Sequence, residues 1–190
     1  MTSYNHLLHL IFGQLTACNS LRDISLCLNA HEKFLYHLGF RQTVNESSLS
    51  RVGVNRDYHI FEELGYLLIQ KTRPLYSKER IPDVWLFSEQ DIFALDSTTI
   101  SCNIKLMSWA LGKYEQGAVK MHTLLDLRGS IPSFIHITHG KWYDSNVLDI
   151  IEVTPFAIYG MNKAYVDFEA LYRIHTNNAY FVTRAQKALS

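Results

Sequence analysis

Two polar residues that could do chemistry each follow an apolar stretch predicted to be a buried strand. Asp96 comes directly after "IFAL", and Asn162 comes directly after "FAIYGM". In open α/β sheets the carboxyl ends of neighbouring strands line the ligand-binding crevice, so these two side chains could face each other there. Because an isolated ionised carboxylate in a core is costly, Asp96 is a candidate metal ligand or general base.

Local structure gives the same two residues a second interpretation. Asp96 could cap the turn "DSTT", and Asn162 could cap the helix predicted after it, since Asp and Asn are favoured at such positions. The residues by themselves leave both interpretations open.

The other polar residues of this half have structural explanations. His136 and His139 are three residues apart on a predicted strand, so they point to opposite faces and cannot chelate one metal ion together. Asp144 is well placed to cap a predicted helix that begins at "SNVLDIIE".

The elements that must position Asp96 and Asn162 lie in residues 84–190. Strands are predicted in "DIFALDSTTI", "AVKMHTLLDL", "SIPSFIHIT", "FAIYGM" and "AYFVTRA", and helices in "SNVLDIIE" and "VDFEALYRIHTN". The second and third strands form a hairpin around the turn "DLRG". The order βββαβαβ predicts an α/β domain whose later strands, bounded by helices, are parallel.

Residues 1–80 predict an all-helical domain, joined to the rest by the polar, proline-containing stretch "YSKERIPDVWLFSEQ". Apolar residues recur at helical spacing after Ser20, a predicted N-cap, and stop at Gly39. A second helical stretch is predicted to begin with a capping serine at "SSLSR" and to end at Pro74.

This arrangement of a helix, a glycine-containing turn and a polar second helix is typical of a helix-turn-helix that reads a DNA groove. An ordinary solvated helix face gives the same pattern, so this alternative stays open. The candidate DNA contacts are Arg41, Ser47, Ser48, Arg51, Asn55 and Arg56.

Composition bounds the remaining possibilities. The 190 residues can fold into one or two domains, and no apolar run approaches the roughly 18 residues of a membrane span. Without a recognisable export signal, the chain is predicted to be cytoplasmic. Three cysteines without C-x-x-C spacing argue against a disulfide framework or a zinc knuckle, and 18 basic residues balance 18 acidic ones.

Four segments together carry a family resemblance: "SLRDISLCL", "ALDSTTIS", "GAVKMHTLLDLRGSIPSFIHIT" and "YVDFEALYRIHTNNAYFVTRA". They resemble the DDE transposases of bacterial insertion sequences, in the group with a YREK signature. The resemblance implies a DNA-binding helical domain followed by an RNase H-like mixed-sheet catalytic core. It also implies DNA partners, the inverted-repeat ends of the element, and a homodimer or larger transposase multimer.

In this family two aspartates and a glutamate hold two Mg²⁺ ions, for which Mn²⁺ can substitute. The first aspartate, a metal ligand, corresponds to Asp96. The second belongs in a stretch "MD(R/K)GY", which here reads "MNKAY", so it corresponds to Asn162. The glutamate belongs to a motif expected beyond Ser190.

The resemblance therefore implies a truncated transposase core with impaired metal binding and no catalytic activity. Three interpretations stay open. The chain could be active if translation continued through the glutamate, it could bind element ends in competition with intact transposase, or it could be the inert product of a decaying gene.

Overall fold

A computed structural model of the protein describes residues 1–40, 44–76, 90–102 and 117–184. The chain divides into two compact units, Met1–Tyr66 and Leu67–Ser190, called here the N-terminal and the C-terminal unit. The predicted domain boundary between residues 80 and 84 lies outside the described residues.

Helices account for the described N-terminal part, as the sequence predicted. They are α1 (Ser3–Leu15), α2 (Leu21–Ala30), α3 (Glu46–Asn55) and α4 (His59–Tyr76), with a short 3-10 helix at Glu32–Phe34. The predicted N-cap is present, because Ser20 Oγ accepts a hydrogen bond from the Asp23 amide at 3.1 Å. The buried core of this unit consists of Ile24, Leu28, Leu35, Phe40, Val44 and Leu49.

Two predicted helix limits are wrong. Asn45, and not a serine, caps α3, because its Oδ1 accepts from the Ser48 amide at 2.9 Å. Pro74 does not end α4, which continues to Tyr76. Since this proline lies in the last turn, little of the helix's hydrogen-bond ladder is disturbed. None of the described helices is both long and apolar enough to cross a membrane.

The described C-terminal part contains a five-stranded mixed sheet. Its strands are β1 (Ile92–Cys102), β2 (Gly117–Asp126), β3 (Ile131–His139), β4 (Ile158–Met161) and β5 (Tyr180–Val182), in the spatial order β3-β2-β1-β4-β5. β1, β2 and β3 are antiparallel neighbours, whereas β4 is parallel to β1 and β5 is parallel to β4. The predicted α/β class, the order of the strands along the chain and the parallel later strands are therefore confirmed, whereas the helix predicted at "SNVLDIIE" is a 3-10 helix, Asp144–Asp149.

One face of the sheet carries the core of the C-terminal unit. Phe93 and Leu95 alternate inward along β1 and lie beside Tyr159 and Met161, their partners on β4. A 3-10 segment, Asp144–Asp149, and helix α5 (Phe168–Thr176) contribute further buried residues to this core: Val147, Leu148, Ala170, Leu171 and Ile174. Because side chains alternate along a strand, the residue after Leu95 points to the opposite face.

Candidate functional site

The structure brings Asp96 and Asn162 together. The parallel pairing of β1 and β4 ends at Leu95 and Met161, and each candidate residue is the next one along its strand. Asn162 Nδ2 donates a hydrogen bond to Asp96 Oδ1 at 3.2 Å. The geometry expected at the carboxyl ends of neighbouring parallel strands is thus present in this chain.

Each of the two local interpretations can now be judged. Asn162 does cap the 3-10 helix Lys163–Tyr165, because its Oδ1 accepts from the Ala164 amide at 2.7 Å. Asp96 does not cap a turn, since β1 runs on past it to Cys102. Its carboxylate is exposed, so the premise that the apolar strand would bury it is also wrong.

The hydrogen bonds fix which way the Asn162 amide faces. Its oxygen is held by the Ala164 N–H, so its NH₂ group is the part that faces Asp96. An amide nitrogen bearing hydrogens cannot coordinate a cation, and the carbonyl oxygen that could do so is directed at the Ala164 amide. Asp96 is consequently satisfied by a hydrogen bond from a neutral neighbour.

These residues do not fit the two Mg²⁺ ions that the family resemblance implies. A two-metal site needs several carboxylates around ions that lie about 4 Å apart. Within the described ranges, the structure contains no group of three or more His, Cys, Asp or Glu side chains arranged to hold a metal ion. Asp96 therefore offers a single ionised ligand at a position where its neighbour presents a hydrogen-bond donor.

A second polar cluster, formed by Ser97, Lys120, His122 and Asp144, lies on the covered face of the sheet. Ser97 Oγ donates to Asp144 Oδ1 at 3.0 Å, and Lys120 Nζ lies 3.1 Å from the same oxygen. The Lys120 and Asp144 side chains are only 13% and 19% exposed. Lys120 Nζ also donates to the Trp142 carbonyl at 2.8 Å.

Sequence analysis missed this cluster because it assigned Asp144 to a helix cap. In the described structure the 3-10 segment Asp144–Asp149 has no side-chain cap, and the Asp144 carboxylate faces the sheet. A usable signal was present in "AVKMHTLL", where Lys120 shares the strand face of the buried His122 and Leu124. A lysine on a buried face needs an anionic partner.

The His122 ring of this cluster and the neighbouring Tyr165 ring are both fully buried. His122 Nε2 lies 3.1 Å from Thr138 Oγ1, whereas its Nδ1 has no hydrogen-bond partner among the residues that the structure describes and lies 3.8 Å from Asp144 Oδ1. Burial raises the pKa of Tyr165 to about 12. A hydrogen bond with the Ser97 hydroxyl lowers this pKa somewhat, and the charges of Asp144 and Asp96 raise it further. The Tyr165 hydroxyl therefore keeps its proton at neutral pH.

The buried histidine makes the C-terminal unit sensitive to acid. Burial lowers the pKa of His122; the Asp144 carboxylate opposes this effect, and Lys120 and His136 reinforce it. In the unfolded chain this histidine has a pKa of about 6.5. As the pH falls below that value, the unfolded state therefore binds more protons than the folded state. The stability contributed by neutral His122 is thus present above about pH 6.5 and is lost below it.

We expect the thermal midpoint of the C-terminal unit to fall between pH 7.5 and pH 5.5, and to fall less in His122→Gln. Differential scanning fluorimetry across this range measures the effect. His175→Gln, which removes an exposed histidine of the same unit, should retain the full pH dependence. An equal pH dependence in the native chain and in His122→Gln would contradict the assignment of the acid sensitivity to His122.

The candidate DNA contacts occupy different environments. Arg41 lies outside the described residues. On α3, Ser47, Arg51 and Asn55 are exposed and four residues apart, so they share one helix face, whereas Ser48 is half-buried.

Arg56 is engaged within the N-terminal unit. Its Nη2 donates to the Met1 carbonyl at 3.0 Å, and its Nη1 is buried without a partner among the described residues. Arg56 is therefore a poorer DNA contact than the sequence indicated.

The connection between α2 and α3 also differs from the predicted short turn. It covers residues 31–45 and includes the 3-10 helix and Gly39, whose φ of +83° is left-handed. A helix-turn-helix has a turn of three to four residues. A connection of that length joins α3 to α4 instead, over residues 56–58.

Comparison with known proteins finds one family model and a similar protein that match this chain. Residues 1–41 match the family model of a domain of unknown function, DUF4372. A protein of Synechocystis sp. (strain ATCC 27184 / PCC 6803 / Kazusa), named "Putative transposase for insertion sequence element IS4SA", is 32% identical to the chain over 146 residues. The chain is thus similar to a putative insertion-sequence transposase.

The matched region has a defined extent in each protein. It covers 75% of this chain but only 40% of the Synechocystis transposase, so the chain spans well under half the length of that relative. No solved structure matched the chain. The resemblance stated from the sequence is thereby confirmed at the level of the transposase family.

Proposed function

We propose that this chain acts as part of an insertion-sequence transposase. Its N-terminal helical unit binds DNA at the inverted-repeat ends of the element, and its C-terminal unit supplies an RNase H-like core. The 32% identity with the Synechocystis protein over 146 residues supports the family assignment. A mixed sheet with two polar residues at the ends of adjacent parallel strands is consistent with such a core.

We further propose that the chain binds element ends through its N-terminal unit but that its core does not cut DNA. The observation that carries the proposal is the hydrogen bond from Asn162 Nδ2 to Asp96 Oδ1. By family resemblance, position 162 should hold the second catalytic carboxylate. The neutral amide present there directs its hydrogens at the first carboxylate, so the pair cannot attract a divalent cation as two carboxylates would.

DNA binding needs none of these groups. Leu49 is buried and anchors α3 in the core of the N-terminal unit, so the face that carries Arg51 and Asn55 points away from that core. Arginine and asparagine are the side chains best suited to bidentate contacts with guanine and adenine in the major groove. A short helix can place both residues over successive base pairs.

Arg51→Ala and Asn55→Ala should each weaken binding to element-end DNA about tenfold, the usual cost of one lost base contact. Fluorescence anisotropy with duplexes taken from the DNA on either side of this chain's own gene measures the effect at a fixed salt concentration. Lys141→Ala is the matched control, because it removes an exposed positive charge from the C-terminal unit.

Specificity separates the proposal from simple electrostatic attraction. A scrambled duplex of the same length should bind more weakly than the end sequence and should lose less affinity in Asn55→Ala. Equal binding of both duplexes, or an Arg51→Ala variant that binds like Lys141→Ala, would overturn the DNA-binding assignment.

A further inference from the structure

Two of the three cysteines lie side by side in the N-terminal unit. Cys18 Sγ and Cys27 Sγ are 4.0 Å apart, although nine residues separate them in the chain. Both thiols are free and partly exposed. The third cysteine, Cys102, belongs to β1 in the C-terminal unit.

A defined turn places Cys18 next to α2. After α1 ends, Ala17 takes a left-handed φ of +53°, and the Cys18 amide donates to the Gly13 carbonyl at 2.9 Å. Cys18 Sγ then lies 3.2 Å from Thr16 Oγ1 and packs against the core of the unit. Helix α2 begins directly after its N-cap, Ser20. Its second turn places Cys27 beside Cys18.

From this geometry we propose that Cys18 and Cys27 are an oxidation site that closes to a reversible disulfide. The two sulfur atoms must approach each other by about 2 Å to reach the S–S bond length, a movement within the range of side-chain rotation. A crosslink there joins the turn after α1 to the body of α2. This modification is independent of the proposed transposase function.

A peroxide is the oxidant class that balances the reaction. The thiolate of one cysteine of the pair attacks hydrogen peroxide, the O–O bond breaks, and a sulfenic acid forms with release of hydroxide. The thiolate of the other cysteine then attacks that sulfur, so the S–S bond forms as the S–O bond breaks and a second hydroxide leaves. The protons of the two thiols convert both hydroxides to water, and two electrons pass from the sulfurs to the peroxide.

Oxidation of this pair is expected to be faster at alkaline pH. The hydrogen bond with Cys18 raises the pKa of the Cys27 thiol, with burial and the nearby Asp23 charge acting in the same direction. A raised pKa leaves less of Cys27 as thiolate at neutral pH, and the thiolate is the reactive form.

Mass spectrometry of the full chain tests the proposal. The reduced protein is treated with hydrogen peroxide, trapped with N-ethylmaleimide, and analysed intact and as peptides. We expect a loss of about 2 Da before trapping, a single remaining alkylation site at Cys102, and full reversal by dithiothreitol. Cys102→Ser should form the same crosslink, whereas Cys18→Ser and Cys27→Ser should not.

Three outcomes would overturn the proposal. One is a gain of about 16 Da or more at a single cysteine with no loss of alkylation at the other. Another is a crosslink that involves Cys102, and the third is a disulfide between two chains. Because peptide mapping of the native protein and of Cys102→Ser gives the result directly, the test does not depend on the folding of the Cys18 or Cys27 variants.

Discussion

Replacing Lys120 by methionine should lower the free energy of unfolding of the C-terminal unit by about 3 kcal/mol, the cost of breaking a largely buried ion pair. The substitution leaves the Asp144 carboxylate on the covered face of the sheet without its cationic partner, while the Ser97 hydroxyl still donates to it. It also removes the hydrogen bond to the Trp142 carbonyl. Chemical denaturation followed by tryptophan fluorescence measures the change.

A double variant shows whether the effect comes from the unpaired charge. Lys120→Met combined with Asp144→Leu removes both partners and should recover at least half of the lost stability. Lys141→Met, at an exposed lysine of the same unit, should change stability by less than about 0.5 kcal/mol. If Lys120→Met were as mild as Lys141→Met, Lys120 and Asp144 would not form a stabilising pair in solution.

The second large effect is expected at the Asp96–Asn162 pair. In Asn162→Asp one carboxylate oxygen can still accept from the Ala164 amide. The other oxygen then faces Asp96, at the place where the NH₂ group of Asn162 donates in the native chain. Two exposed carboxylates at such a distance repel by about 1 kcal/mol, so the variant should be less stable than the native chain without divalent cations. Mn²⁺ should reverse this loss, because a cation between the two carboxylates removes the repulsion.

The added carboxylate is expected to raise Mn²⁺ affinity about thirtyfold, even if solvation cancels most of its Coulomb attraction. Isothermal titration and the shift of the thermal midpoint with Mn²⁺ both report this change. Asn162→Ala, which also loses the hydrogen bond to Asp96 but adds no charge, is the control. A midpoint of Asn162→Asp that does not respond to Mn²⁺ would contradict the proposed geometry of the pair.

The sequence predicted the features of this fold that depend on local pattern. The short apolar run "IFAL" marked β1, and the turn "DLRG", which begins at Asp126, marked the hairpin of β2 and β3. The parallel placement of β4 could be predicted because a helix-containing connection precedes it. That placement alone was enough to bring Asp96 and Asn162 to neighbouring positions.

Features that depend on contacts between distant segments could not be predicted in this way. Asp144 follows a loop and precedes a helical segment, so its local pattern is that of a cap. Its actual partners, Ser97 and Lys120, come from two different strands. The exposure of Asp96 was likewise unpredictable, because it depends on which face of the sheet the core covers.

The most direct test of the proposed function measures DNA binding and DNA cleavage by the same protein. A supercoiled plasmid carrying the ends of the element is incubated with the native chain and with Mg²⁺ or Mn²⁺, and nicking and retention on a gel are both recorded. We expect specific retention of end-containing DNA without nicking, because the family resemblance implies a catalytic carboxylate at the position that Asn162 holds. Cation-dependent nicking by the native chain that disappears in Asp96→Asn would contradict this expectation and show that the site is active.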